Sequence, residues 1–278
     1  VEIIVHEDGG PQDKQQQVVD YRDRISTLIL NHGHNVGLAR SWNRCRAMAS
    51  SSYLMGNTTD TYLTSSFLFD MKAALDLPYV GIVNVVQSVG EEGPGVHVTA
   101  GGTKIGLSKT PGSVQPFAIR AEVWDEVGGW NTEVQTTSSD GGFVGSVFGA
   151  GYFSVKVEGT VINEMWAHDG KTNTGEGNSD YIESCRFAHG DVNVPPIFKL
   201  PEKEYENTCR KRWEDIYAGI NGPRLAPEPW ESWYNMEFIS QEARKLFGHA
   251  GVQDIDWEFA KTYGHDRWKD RIMEDFNL

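Results

Sequence analysis

Basic residues are in short supply in this chain: 25 lysines and arginines face 39 aspartates and glutamates, a formal net charge of -14 at pH 7. An average field of that sign repels phosphate backbones and anionic headgroups, so it offers no support for a nucleic-acid or membrane-surface partner. Cysteine is scarce too. Cys45, Cys185 and Cys209 are the three present, and their separations match no zinc-ligand spacing. Cys45 falls inside an amphipathic helical pattern, where a buried free thiol is the simplest reading, and unpaired cysteines favour a reducing, cytoplasmic setting. Long apolar runs are missing. The most apolar stretch, Phe143 to Val155, is interrupted by Gly145, Gly149 and Gly151 and falls short of the roughly 18 residues that cross a bilayer. No signal peptide, repeat or low-complexity tract is visible, and the first residue is Val1 rather than Met, so the expectation is of a native N-terminus further upstream.

What is present is a folded chain. Hydrophobic residues make up 39% of its 278 residues and aromatics 11%, enough for one large domain or one domain with an appended subdomain. The residues around Val1 to Val5 read as a β-branched strand ending in the polar turn His6-Glu7-Asp8-Gly9-Gly10. A helix is expected over 15–24, a strand at 27–30, and a helix from Leu38 to about Ala49 with apolar Leu38, Trp42, Cys45 and Ala49 on one face. Strands follow at 53–55 and 78–86, separated by a helix over 66–75, and the Gly-rich stretch 90–112 reads as a loop or irregular hairpin. Order resumes at 115–120 with a short helix to Val127 and a Gly128-Gly129-Trp130 turn. A helix near 141–149 then precedes strands at 152–157 and 160–166. Strands alternating with helices of this length indicate βαβ units in a largely parallel sheet. In such sheets ligands sit beyond the carboxyl ends of the strands, where the Asp8 and Asp60 turns fall.

Six segments in order resemble the family 2 glycosyltransferases of the GT-A fold, over roughly residues 1–175. VEIIVHEDGG resembles the strand and acidic turn usually written VEIIVVDDGS. NVGLARSWNRCRAMA is similar to the N-x-G-x-x-x-x-x-N helix, and YLMGNTTDTYLT to the strand carrying a D-x-D-like motif. PFAIRAEVWDEVGGWNTEV resembles the acceptor-side segment, SSDGGFVGSVFGAGY the "EDvDl" helix, and VINEMWAHDGKTNT the closing strand with its histidine. The fold class implied is α/β: a GT-A (Rossmann-like), mixed and mostly parallel sheet with flanking helices, plus a helical C-terminal region. The expected division is a nucleotide-sugar-binding and catalytic domain at 1–175, a connector at 176–201 and a helical region at 202–278. That region is rich in tryptophan, packs on the catalytic domain, and has aromatic faces that could shape the acceptor site. The family's usual first strand, upstream of the acidic turn, has no counterpart in the sequence, so either that segment is missing or the sheet is built differently.

The resemblance implies a site. Asp8, with Glu7 beside it, would accept the imide N–H of uracil or thymine, which favours a UDP or dTDP-type sugar donor; a plain Asx-turn is the alternative. Asn35 and Gly37 would form the turn before the helix, and Arg40, one turn in, would contact the diphosphate or else lie in solvent. Asn43 reads as structural. Asp60 matches the last acid of the D-x-D-like motif and would hold Mg²⁺ or Mn²⁺, a hard cation that prefers oxygen ligands and takes much of its shell from phosphate and water. His168 would complete that metal shell as a neutral imidazole. Asp140 matches the catalytic base of an inverting transfer to a glycan or other hydroxyl acceptor, worth about 10²- to 10⁴-fold in rate, although a helix N-cap role fits the same residue. Trp130 would stack on an acceptor sugar or anchor its turn. His6 reads as a turn or surface residue. Thr58, Thr59, Ser139 and Gly142 stand where the family has polar or acidic residues, and those replacements support a second reading, a non-catalytic glycan- or partner-binding module. A nucleotidyltransferase is a third, weakened because the turn HEDGGPQD has no lysine or arginine suited to a triphosphate.

Overall fold

The computed structural model describes residues 1–8, 12–30, 38–57, 61–85, 97–107, 116–130, 139–157, 163–164, 236–248 and 252–278. The chain divides into two compact units. One comprises Val1–Ser51, Gly129–Ser139 and Gly170–Arg224, and the other Ser52–Gly128, Asp140–Asp169 and Leu225–Leu278.

The first unit opens with a βαβ motif: β1 (Ile4–Glu7), α1 (Gln12–Asp20), a 3-10 turn at Arg22–Arg24, and β2 (Thr27–Leu30), followed by α2 (Leu38–Met48). β1 and β2 pair in parallel, from Ile4 against Thr27 to Glu7 against Leu30. Glu2 accepts hydrogen bonds from the Ser50 backbone N–H (2.9 Å) and hydroxyl (3.2 Å) just beyond α2. The far end of β1, at His6, meets Arg44 in mid-helix. α2 therefore runs antiparallel to β1, and its N-terminus, the positive end of its dipole, points to the rim where Asp8 leaves the strand. The apolar pattern of α2 locates the helix but not its deepest face. Ala39, Arg40 and Asn43 are buried, whereas Leu38, Trp42 and Cys45 are only partly covered.

The second unit holds β3 (Tyr53–Gly56), β4 (Thr61–Tyr62), α3 (Phe67–Leu75), β5 (Val80–Val85), β6 (His97–Ala100), β7 (Thr103–Leu107), β8 (Phe117–Arg120), α4 (Ala121–Glu126), most of α5 (Ser139–Gly149), β9 (Phe153–Val157) and β10 (Asn163–Glu164). Its C-terminal part adds α6 (Met236–Phe247), α7 (Trp257–Ala260) and α8 (Lys269–Phe276). Six strands form one mixed sheet in the order β3-β8-β5-β9-β7-β6. The protein is mixed α/β, with a central sheet and flanking helices. Parallel pairing holds for β1–β2 and β5–β9, while the other described pairs are antiparallel, a smaller parallel share than alternation alone suggests. One reason is local. Gly101 (φ 57°) and Gly102 (φ 86°) let the Gly-rich stretch close a two-residue hairpin between β6 and β7, a turn that needs positive φ at both central positions.

The core of this unit lies on the sheet. Val80, Val83, Ile105, Phe153 and Val155 belong to one buried cluster with Leu246, Phe247, Ile272 and Phe276 of the C-terminal helices. α5 is buried over residues 142–148, with Phe143, Val144, Val147 and Phe148 among its core side chains, as expected of an interior helix. It lies so close to β5 that a Cβ on Gly81, at a register shift in that strand, would stand 2.4 Å from Val147. Beyond α5, three consecutive carbonyls receive the C-terminal turn: Arg267 donates to Ala150 O (3.0 Å), Trp268 Nε1 to Gly151 O (2.8 Å), and His265 Nε2 to Tyr152 O (3.3 Å). Arg120 similarly serves the exposed end of α3, donating to the carbonyls of Leu75 (2.8 Å), Leu77 and Pro78 (both 3.2 Å). Among the described residues no helix is long and apolar enough to cross a membrane.

Candidate active site

The carboxyl end of β1 carries the first candidate acids. Glu7 is its last residue and Asp8 follows at once, both half-buried. One turn of side-chain chemistry below them, the Arg44 guanidinium lies 3.2 Å from His6 Nε2. Arginine has no acceptor, so Nε2 must take the hydrogen bond and the neutral ring carries its proton on Nδ1. Burial holds His6 down at about 4, helped by the Arg44 charge and opposed by that of Asp8. The ring is neutral at ordinary pH and has a charge of each sign close by. His6 is thus a strand residue with a specific partner, not the turn or surface residue the sequence suggests. The available signal was its position, where the resembled family carries an apolar valine.

Asn43 and Trp130 form the second feature of this unit. The Asn43 amide donates to Trp130 O at 2.8 Å and accepts from Trp130 N at 3.0 Å. One side chain thereby satisfies both backbone groups of a buried residue, as a neighbouring strand would. Gly128 and Gly129, just before it, adopt φ of 77° and 71°, left-handed values that a side chain would disfavour. The Trp130 ring is 1% exposed. So enclosed a residue fits the turn-anchor reading. Arg40 is 2% exposed, which excludes the solvated-arginine reading, because a buried guanidinium persists only among acceptors or anions. Cys45, on the same helix, is a free, partly buried thiol that burial pushes up to about 11, far from a reactive thiolate.

In the second unit, Asp140 is the second residue of α5. β4 begins one residue after Asp60, β10 ends four residues before His168, and the two strands pair antiparallel, Glu164 against Thr61. Asn35, Gly37, Asp60 and His168 themselves lie outside the described residues. Among the described residues no cluster of three or more histidines, cysteines or acids could hold a metal. A small recess lined by Ile82, Val147, Phe148, Phe153, Ser154 and Phe247, among others, contains no charged side chain.

No family model matches the chain, and no curated protein matches it in sequence. Solved structures do resemble it. They include GalNAc-T7 with UDP, GalNAc and Mn²⁺ (11% identity, TM-score 0.49, covering 89% of this chain and 52% of that one). A mannosyltransferase, PcManGT from Pyrobaculum calidifontis, in complex with GDP-Man and Mn²⁺, shares 15% identity at a TM-score of 0.48, covering 88% of this chain and 78% of that one. S. aureus TarS 1-349 in complex with UDP-GlcNAc shares 14% at 0.46, covering 96% and 83%. The chain spans about half the length of the GalNAc-T7 chain. All three likenesses are distant ones.

Proposed function

We propose that this protein is a GT-A-type glycosyltransferase that moves a sugar from a nucleotide-diphosphate donor to an acceptor hydroxyl with inversion. The observation that carries the reading is the pairing of β4 with β10. It sets side by side the strand that follows the D-x-D-like acid and the strand that leads to the closing histidine, with four residues, at most about 14 Å of chain, left to His168. The order of the six motif-like segments supports the same reading, as does the shared rim of Asp8 and the α2 N-terminus.

Asp8 and Glu7 read the base, and Asn35 and Gly37 shape the turn. Asp60 and His168 are the proposed ligands for Mn²⁺ or Mg²⁺, an oxygen and a nitrogen donor of the type such cations accept. When bound, that cation offsets negative charge on the diphosphate. The acceptor oxygen attacks the anomeric carbon in line, and its proton passes to the Asp140 carboxylate. The bond to the diphosphate breaks, and the leaving group departs with the electron pair, so no covalent enzyme intermediate forms. The test is release of nucleoside diphosphate from a panel of UDP-, dTDP- and GDP-sugars with Mn²⁺, with and without chelator. Asp140→Asn is expected to lower turnover by about 10²- to 10⁴-fold at unchanged melting temperature. If no donor is turned over or bound, the non-catalytic module becomes the better account.

A further inference from the structure

His6 takes no part in the proposed transfer, yet it lies two residues before Asp8 and receives the Arg44 hydrogen bond at 3.2 Å. Every residue of β1 is only half-buried, and its described sheet partner is β2 alone. Side-chain packing therefore restrains the direction of this strand end less than it does in the six-stranded sheet, where Val80, Val83 and Ile119 are fully buried. The start of β1 is tied to the end of α2 through Glu2 and Ser50. A second tie, near the acids, fixes the strand at two points along the helix and so sets its twist. We propose that His6 and Arg44 are a positioning pair that fixes the carboxyl end of β1 against α2 and so aims the Asp8 carboxylate at the base of the donor nucleotide.

This rests on the reading of Asp8 as a base-reading acid and extends it to residues outside the motif. The chemistry favours the pairing, because a charged donor on a neutral acceptor makes a stronger bond than two neutral groups. The imidazole stays neutral through burial and the Arg44 charge together. A valine at this position would leave Arg44 without the His6 acceptor.

The test is UDP binding by titration calorimetry in the presence of Mn²⁺, on the full chain, with melting temperatures confirming that each variant is folded. His6→Ala and Arg44→Gln are each expected to weaken UDP about tenfold, the scale of one hydrogen bond to a charged group. His6→Gln, whose amide oxygen can accept from Arg44, is expected to stay within about threefold. In an Asp8→Asn background, His6→Ala should add no further loss, because the pair acts through that carboxylate. A loss that persists undiminished in that background, or His6→Ala binding equal to the parent, overturns the positioning role while leaving the donor reading intact. A parent protein that binds none of UDP, dTDP or GDP overturns both.

Discussion

Two histidines, one in each unit, have titrations displaced to about 4 chiefly by burial, and they differ in what holds them. His265 is fully buried against Phe148 and Phe153, with ring centroids 4.6 and 4.9 Å away, and donates to the Tyr152 carbonyl. His6 is half-buried on a strand end and accepts from a charged arginine. The first is surrounded by core and works as a peg between the C-terminal turn and the sheet. The second stands beside acids at the rim where a ligand is expected. The same displacement therefore marks a stabilising contact in one place and a site-shaping contact in the other, and the surroundings decide which.

Substitutions can separate the two regions. The largest effect is expected in the C-terminal dock: Phe247→Ala, at a side chain 2% exposed, should cost about 3 to 5 kcal/mol in urea unfolding, with UDP affinity of the remaining folded protein unchanged. Acid comes next. His265 in the folded state lies at about 4 against an ordinary 6.5, so the unfolded chain binds the extra proton between those values. Its contribution is complete above pH 6.5, is lost as pH falls toward 4, and changes no further below; the span is about 3 kcal/mol. Comparing urea midpoints at pH 7, 5 and 4 for the parent and His265→Gln isolates that share, which should be absent from the variant. His6 acts in the same direction but, being more exposed, by a smaller amount. Smaller again is Asn43→Ala, which strips partners from the Trp130 N–H and carbonyl and should cost about 1 to 3 kcal/mol, read from the same unfolding curves. If Asn43→Ala left stability unchanged, the clasp would be ornamental. Equal slopes of stability against pH for the parent and His265→Gln would remove the contrast between the histidines.

Much of the element order was legible along the chain. α2 shows its helical spacing at Leu38, Trp42 and Cys45, α3 its buried Phe67, Met71 and Leu75, and β5 its β-branched run; each is a local signal. The mixed sheet was less legible, because strand direction depends on partners far apart in sequence: β8 pairs with β3 and β5 across more than thirty residues. The buried polar face of α2 was hidden for a similar reason. Arg40 and Asn43 look solvent-facing by residue type, and only the distant Trp130 backbone explains Asn43. In the candidate site, motif order pointed to Asp8 and Asp140 at a strand end and a helix start, where the structure has them. Nothing in a single sequence linked His6 to Arg44, since a contact 38 residues apart leaves no periodic trace.

The dock of residues 263–268 onto the carbonyls of 150–152 has a consequence for biosynthesis. Gly151 has no room for a side chain, since a Cβ there would lie 2.5 Å from the Tyr263 oxygen, and the cluster on the sheet includes Ile272 and Phe276. A nascent polypeptide that has reached β9 can align its strands, yet that sheet surface is not fully covered until α8 has left the ribosome. For that interval the growing chain presents a sticky apolar face, the kind of intermediate that chaperones shield from aggregation.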